Sequence, residues 1–327
     1  KAELALNNLG VALIKLRRDE EAESVLRAAL ALRREFNVAA ANLALVVTRR
    51  GRAAEGLALC DEILAADPAH MDALAVRADA LARLGRAEEG IATLRSALNI
   101  RPGEVTILNN LGNQLQENGR VTEAIAVYRR GLKQAGRSAS VWSNLGNALT
   151  RLGQFGEAVY AYRIALECDP DMALAYSNLI VALGYQPDVS GRDLVREACA
   201  WNERFGGRLT RRFFLNERDA DKRLRVGYLS GDFRRHAAGY FIEPLIVGHV
   251  MAKEGRAAID VFCYHDHSLG DEVTARLRAA VGEGWREAHG LSDEELAARI
   301  AADGIDVLVE CSGHTAGSRL AMVAGRV

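Results

Sequence analysis

Asn110-Leu111-Gly112 and Asn144-Leu145-Gly146 are one triplet written twice, 34 residues apart, and that interval decides the fold of the first half of the chain. Steps of 34 from Asn8 reach Asn42, Val76, Asn110, Asn144 and Asn178, and from Gly10 they reach Ala44, Ala78, Gly112, Gly146 and Ile180. A fixed period with small and apolar residues at set offsets marks paired helices stacked into a solenoid. Ala22, Gly56, Gly90, Ala124 and Ala158 hold the same register, as small residues do where two helices approach closely. Gly51, Gly85, Gly119 and Gly153 fall between the helices of each pair, where a tight turn needs positive φ. Pro68, Pro102 and Pro170 follow the second helices and stop them.

The pattern resembles tetratricopeptide repeats over about residues 3–172. Val76 and Arg77 break it in the third repeat. A sixth first helix is predicted from Met172 to before Gln186-Pro187, with Arg192 to Arg204 as a capping helix. Such a solenoid presents one long groove. The repeated asparagines Asn8, Asn42, Asn110, Asn144 and Asn178 form a row along it, each able to accept and donate to a peptide backbone without reading its sequence. The plainer reading leaves them solvated. An extended protein or peptide segment is the expected partner.

Bulk properties narrow the field. The chain has 327 residues, 49% of them hydrophobic, enough for a solenoid core and a second folded region. A net charge of −1 provides no basic excess for a nucleic acid. Cys60, Cys168, Cys199, Cys263 and Cys311 are scattered, which fits single buried thiols in a reducing, cytoplasmic setting. No apolar run approaches the roughly 20 residues of a membrane span, so no membrane partner is expected. The start at Lys1, inside a repeat, suggests that residues precede it.

Arg204 to Arg225 is basic and lacks a helical period, and reads as a linker. Beyond it the apolar pattern shortens. Leu224 to Ser230, Ile259 to Tyr264, Trp285 to Ala288 and Ile305 to Glu310 read as strands. Helices are predicted over Gly239–Ala252, Asp271–Val281 and, from the Ser292-x-x-Glu295 capping box, to Ala302. Alternation of this kind builds a parallel, doubly wound sheet. The expected boundaries are 1–186 for the solenoid, 187–223 for cap and linker, and 224–327 for the sheet. In strand order 3-2-1-4 the ligand crevice lies at the carboxyl ends of the first and fourth strands. Two loops leave from there, Gly231 to Tyr240 with His236, and Cys311 to Gly317 with Gly313, His314 and Thr315. Neither a dinucleotide fingerprint nor a phosphate-binding P-loop is present. His265-Asp266-His267 reads as a polar loop without a further ligand for a metal.

The run Leu224-Arg-Val-Gly-Tyr-Leu-Ser-Gly-Asp-Phe-Arg-Arg-His236, followed by Asp260 to Tyr264, Asp303 to Val309 and Gly313-His-Thr315, resembles the SPINDLY and O-linked N-acetylglucosamine transferase family. The resemblance covers nearly the whole chain, repeats included. It implies a repeat solenoid fused to a two-lobed, Rossmann-like glycosyltransferase, of which this chain holds only part of the first lobe. It further implies inverting transfer of a sugar from a nucleotide-sugar, UDP-N-acetylglucosamine or another, to a protein Ser or Thr, without a metal or other cofactor. His236 matches the family's histidine proposed as base or active-site contact; an imidazole ordinarily titrates near about pH 6.5 and suits a proton shuttle. Gly313, His314 and Thr315 are implied donor or acceptor contacts. Without the second lobe the chain alone is expected to be inactive. The competing reading is a non-catalytic repeat scaffold with a docking module.

Overall fold

The computed structural model describes residues 1–206, 216, 219, 222–252, 259–314 and 318–324. Its contacts divide the chain into two compact units, Lys1–Pro170 and Asp171–Val327.

The first unit is five helix pairs: α1 (Ala2–Lys15) with α2 (Asp19–Leu32), α3 (Asn37–Arg49) with α4 (Ala53–Ala66), α5 (Met71–Arg83) with α6 (Ala87–Ile100), α7 (Val105–Glu117) with α8 (Val121–Ala135), and α9 (Ala139–Arg151) with α10 (Phe155–Cys168). The 34-residue period appears as geometry. Gly51, Gly85, Gly119 and Gly153 turn at φ between +73° and +86°, and Arg17 takes φ +60° at the corresponding place in the first pair. Ala22, Ala124 and Ala158 are fully buried. A methyl group on Gly90 would meet Ala78 O at 2.8 Å, so only glycine lets those two backbones approach. A feature the periodicity reading missed recurs at each second helix. Arg18–Glu21, Arg52–Glu55, Arg86–Glu89 and Arg120–Glu123 close the same i,i+3 pair across the N-terminal turn. Glu157 lacks that partner, because Gln154 stands in the arginine's place, and it pairs with Arg129 at 2.7 Å instead.

The break in the third repeat has a packing cause. Val76 is buried with Ala44 and Cys60, and Arg77 reaches Asp61 Oδ1 at 2.8 Å and Thr93 Oγ1 at 2.6 Å. Thus an apolar contact and a polar bridge replace the asparagine–leucine pair there.

The second unit opens with α11 (Ala173–Gly184) and α12 (Gly191–Phe205). Next come β1 (Leu224–Ser230), α13 (Gly239–Met251), β2 (Ile259–His265), α14 (Glu272–Val281), β3 (Trp285–Glu287), α15 (Asp293–Ala302), β4 (Val307–Glu310) and α16 (Leu320–Ala324). The strands are parallel and ordered β3-β2-β1-β4, with Leu224 opposite Ile259 and Val226 opposite Val307. Side chains alternating along β1 feed two cores. Val226 and Tyr228 pack with Ile242, Ile246, Val273 and Leu277 of α13 and α14, while Leu229 packs with Leu296, Ile300 and Met322 on the α15 side. Helices therefore cover both faces, as a doubly wound sheet requires.

Three expectations change. β4 starts at Val307, because Ile305 and Asp306 turn into the strand. His265 belongs to β2 rather than to a polar loop, and its side chain is buried. Among the cysteines, Cys60 and Cys263 are buried but Cys199 is exposed on α12. Most of the expected linker lies outside the described residues.

Candidate functional site

In the first unit, the facing surfaces of α3, α5 and α7 enclose a groove of about 470 Å³. Asn42 and Asn110 line it, Leu45 and Val76 contribute apolar floor, and Asp72 and Glu117 are on its wall. Asn8 is exposed on α1, and Asn42, Asn110 and Asn144 are half-buried. Two of the rungs are held by the preceding repeat. Asn42 Nδ2 donates to Asn7 Oδ1 at 2.9 Å, and Asn144 Nδ2 donates to Asn109 Oδ1 at 3.0 Å. Asn7 and Asn109 were not singled out from sequence, although each immediately precedes a rung. A second polar row lies deeper: Tyr128 OH donates to Asn113 Oδ1 at 2.6 Å and Tyr162 OH to Asn147 Oδ1 at 2.8 Å. Asn178 sits half-buried on α11, in the second unit.

In the second unit the carboxyl ends of β1 and β4 are adjacent. Cys311 N donates to Leu229 O at 3.0 Å, and the hydroxyls of Ser230 and Ser312 stand 3.5 Å apart. The loop after β1 begins with Asp232 N donating to Ser230 Oγ at 3.0 Å. His236 is 46% exposed at its side chain, with Nδ1 3.5 Å from Asp232 Oδ2 and accepting from Ala238 N at 3.3 Å. These two contacts imply opposite tautomers. While Ala238 donates, the neutral ring carries its hydrogen on Nε2 and acts outward as a donor. With the hydrogen on Nδ1 and Asp232 accepting it, Nε2 becomes a base. Asp232 thus stands within reach of the ring, at an Asp-x-x-x-His spacing visible in the sequence.

The loop after β4 is built around Glu310, which accepts from Ser312 N at 3.1 Å, Gly313 N at 2.5 Å and Ser318 Oγ at 3.3 Å. Burial pushes this carboxyl above its ordinary value, outweighing the hydrogen bonds that favour its charge. Gly313 turns at φ +57°. The His314 ring does not stand open to solvent: Nδ1 lies 3.1 Å from Ser177 Oγ, and the ring meets Trp201 edge-on at 5.1 Å. Burial lowers its pKa. Thr315 lies outside the described residues, and no described contact joins His236 to His314.

A wider cleft, about 550 Å³, opens at the end of β2 against α14, lined by His265, His267, Asp271 and Arg278. The buried His265 ring stacks near Phe233, and its Nδ1 is 3.2 Å from Glu287 Oε2. Burial, then the neighbouring His267 and Arg278, lowers its pKa. Among the described residues no group of three or more His, Cys, Asp or Glu is arranged to hold a metal. No described helix is long and apolar enough to cross a membrane.

The same division is seen in known proteins. Residues 4–35, 48–111 and 109–173 match tetratricopeptide repeats, and residues 208–326 match glycosyl transferase family 41. A solved structure of a Thermobaculum terrenum O-GlcNAc transferase mutant superposes with TM-score 0.66 and 34% identity, covering 79% of this chain and 49% of that one. The probable UDP-N-acetylglucosamine–peptide N-acetylglucosaminyltransferase SPINDLY of Petunia hybrida is 30% identical over 161 residues, and that of Arabidopsis thaliana 33% over 114. Over residues 208–326 the chain is thus similar to glycosyl transferase family 41, and the relatives it matches are SPINDLY and O-GlcNAc transferase proteins. The matched stretch is 48% of this chain but 17% of the Petunia protein and, for the Arabidopsis protein, 34% and 12%. A thermophilic repeat protein of Thermus thermophilus, 22% identical at TM-score 0.53 over 56% of this chain, shares the solenoid fold alone.

Proposed function

We propose that this chain is part of a protein O-glycosyltransferase that moves N-acetylglucosamine, or another sugar, from a nucleotide-sugar to Ser or Thr of an extended acceptor. The joining, in one chain, of an asparagine-lined repeat groove to a family 41 sheet carries the reading. The rungs would grip acceptor backbone, each through a carbonyl and an amide. A serine hydroxyl is a poor nucleophile near neutrality, so a positioned base is needed. His236 would supply it at Nε2 when its Nδ1–H donates to Asp232. Backbone at Gly313, and Thr315 beyond it, would contact donor or acceptor. The donor's departing diphosphate needs charge stabilisation that these residues do not supply by themselves.

The test is to offer UDP-N-acetylglucosamine and GDP-fucose to the full-length gene product with a mixture of Ser/Thr peptides. Transfer from one donor is expected. A folded protein that binds the peptides and transfers neither sugar would leave a binding scaffold instead.

A further inference from the structure

His314 and Ser177 are 137 residues apart in sequence, and their side chains meet at 3.1 Å. Ser177 is a buried residue of α11 and immediately precedes Asn178, the last repeat asparagine. His314 follows Gly313 in the loop after β4. The contact is enclosed on its far side by Trp201 of α12, whose Nε1 donates to Ala173 O at 3.3 Å at the start of α11. At its near side the loop is held by Glu310, which accepts from the amides of Ser312 and Gly313. The loop at the end of β4 is therefore pinned both to its own strand and to α11.

We propose that His314 is a positioning residue that, through Ser177, holds the acceptor-binding Asn178 in register with the loop at the end of β4. This rests on the transferase reading above. Ser177 and Asn178 are consecutive on a rigid helix, so the rung cannot shift without straining the bond to His314. An acceptor gripped at Asn178 thus arrives at a fixed distance from the loop. Small misplacements of a reacting hydroxyl cost up to about 10²-fold in rate, so a register device of this kind acts on transfer rather than on donor chemistry.

The experiment uses the full-length gene product and two Ser/Thr acceptors of one sequence. One has about 20 residues and spans about 70 Å when extended; the other is a truncation of about six residues, from which those on the Asn178 side of the reacting Ser or Thr have been removed. In Ser177→Ala, transfer to the long acceptor is expected to fall about tenfold, the size of a typical coupling between sites. Transfer to the short acceptor and donor hydrolysis by water should stay unchanged. His314→Leu should lower long-acceptor transfer as far, with no further loss in the double variant, and His314→Asn, which keeps a polar atom near Nδ1, should restore most of it. Amide exchange gives a readout independent of turnover: binding of the long peptide should slow exchange at Gly313 in the wild type and not in Ser177→Ala. Equal losses for both acceptors, or no loss for either, would overturn the positioning role. A wild type that transfers no sugar overturns the transferase reading itself, and unchanged exchange at Gly313 would then remove the coupling as well.

Discussion

The Asn42 side-chain amide donates to Asn7 Oδ1 at 2.9 Å, and Asn144 repeats the bond to Asn109 three repeats later. These two rungs therefore take their orientation from the preceding repeat rather than from their own helices. With one amide hydrogen committed, the rung presents its carbonyl and its second hydrogen in a fixed direction. This lowers the entropy that an acceptor must remove on binding.

Two grades of binding defect follow. Asn144→Ala removes a rung and should weaken binding of a Ser/Thr peptide about fivefold, the worth of one net hydrogen bond. Asn109→Ala removes only the orienting partner and should cost less, with the melting temperature nearly constant in both. Calorimetric titration measures the difference, and equal affinity for wild type and Asn144→Ala would remove the rungs from acceptor binding.

The stacking of helices depends on glycines that receive rings. A methyl group on Gly112 would overlap the Tyr128 ring, and one on Gly146 would lie 2.6 Å from that of Tyr162, both rings being fully buried. Gly112→Ala and Gly146→Ala should each destabilise by about 1–3 kcal/mol through overpacking. Gly248→Ala in α13, where nothing lies within 4 Å, should instead stabilise by about 0.5–1 kcal/mol. Denaturant midpoints that move the same way at Gly112 and Gly248 would contradict the packing account.

Glu23 sits 10% exposed among Arg52, Arg27 and Arg50, and hydrogen bonds from Arg52 above all pull its pKa from 4.5 to about 2. A carboxyl depressed in the folded state stabilises fully above its unfolded value and loses that contribution as pH falls through its folded one. The melting-temperature gap between wild type and Glu23→Gln should therefore be widest near neutrality and close between about pH 4.5 and 2. A gap independent of pH would show that the arginines respond to shape rather than charge.

Thiol reactivity should follow burial. Burial raises the Cys60 thiol to about 12 and that of Cys311 to about 11, and raises Cys263 as well. Exposed Cys199 should be alkylated in the native protein at pH 8 well before Cys60 or Cys263, which should react only on unfolding. Prompt labelling of Cys60 would mean that the α3–α4–α5 packing opens.

Period and spacing carried most of the architecture. The positive-φ glycines, the buried small residues and strands β1 and β2 are legible because a solenoid repeats its contacts and a buried strand must be continuously apolar. Interactions between distant segments were not legible. Ser177 and Trp201 engage His314 from helices more than a hundred residues earlier, and no local pattern marks that pairing. Asp232 lay in plain sight four residues before His236, but its role depends on which tautomer the loop selects. The cleft beside His265 was missed because a buried histidine at a strand end looks, in sequence, like the start of a polar loop.

The most direct measurement is the rate of sugar transfer to a groove-binding Ser/Thr peptide by full-length wild type and His236→Ala. The account predicts a loss of about 10²–10⁴-fold, with peptide affinity unchanged, because a base is removed and the groove is not. Transfer that persists in His236→Ala at the wild-type rate would contradict it and return His236 to a loop residue capping the start of α13.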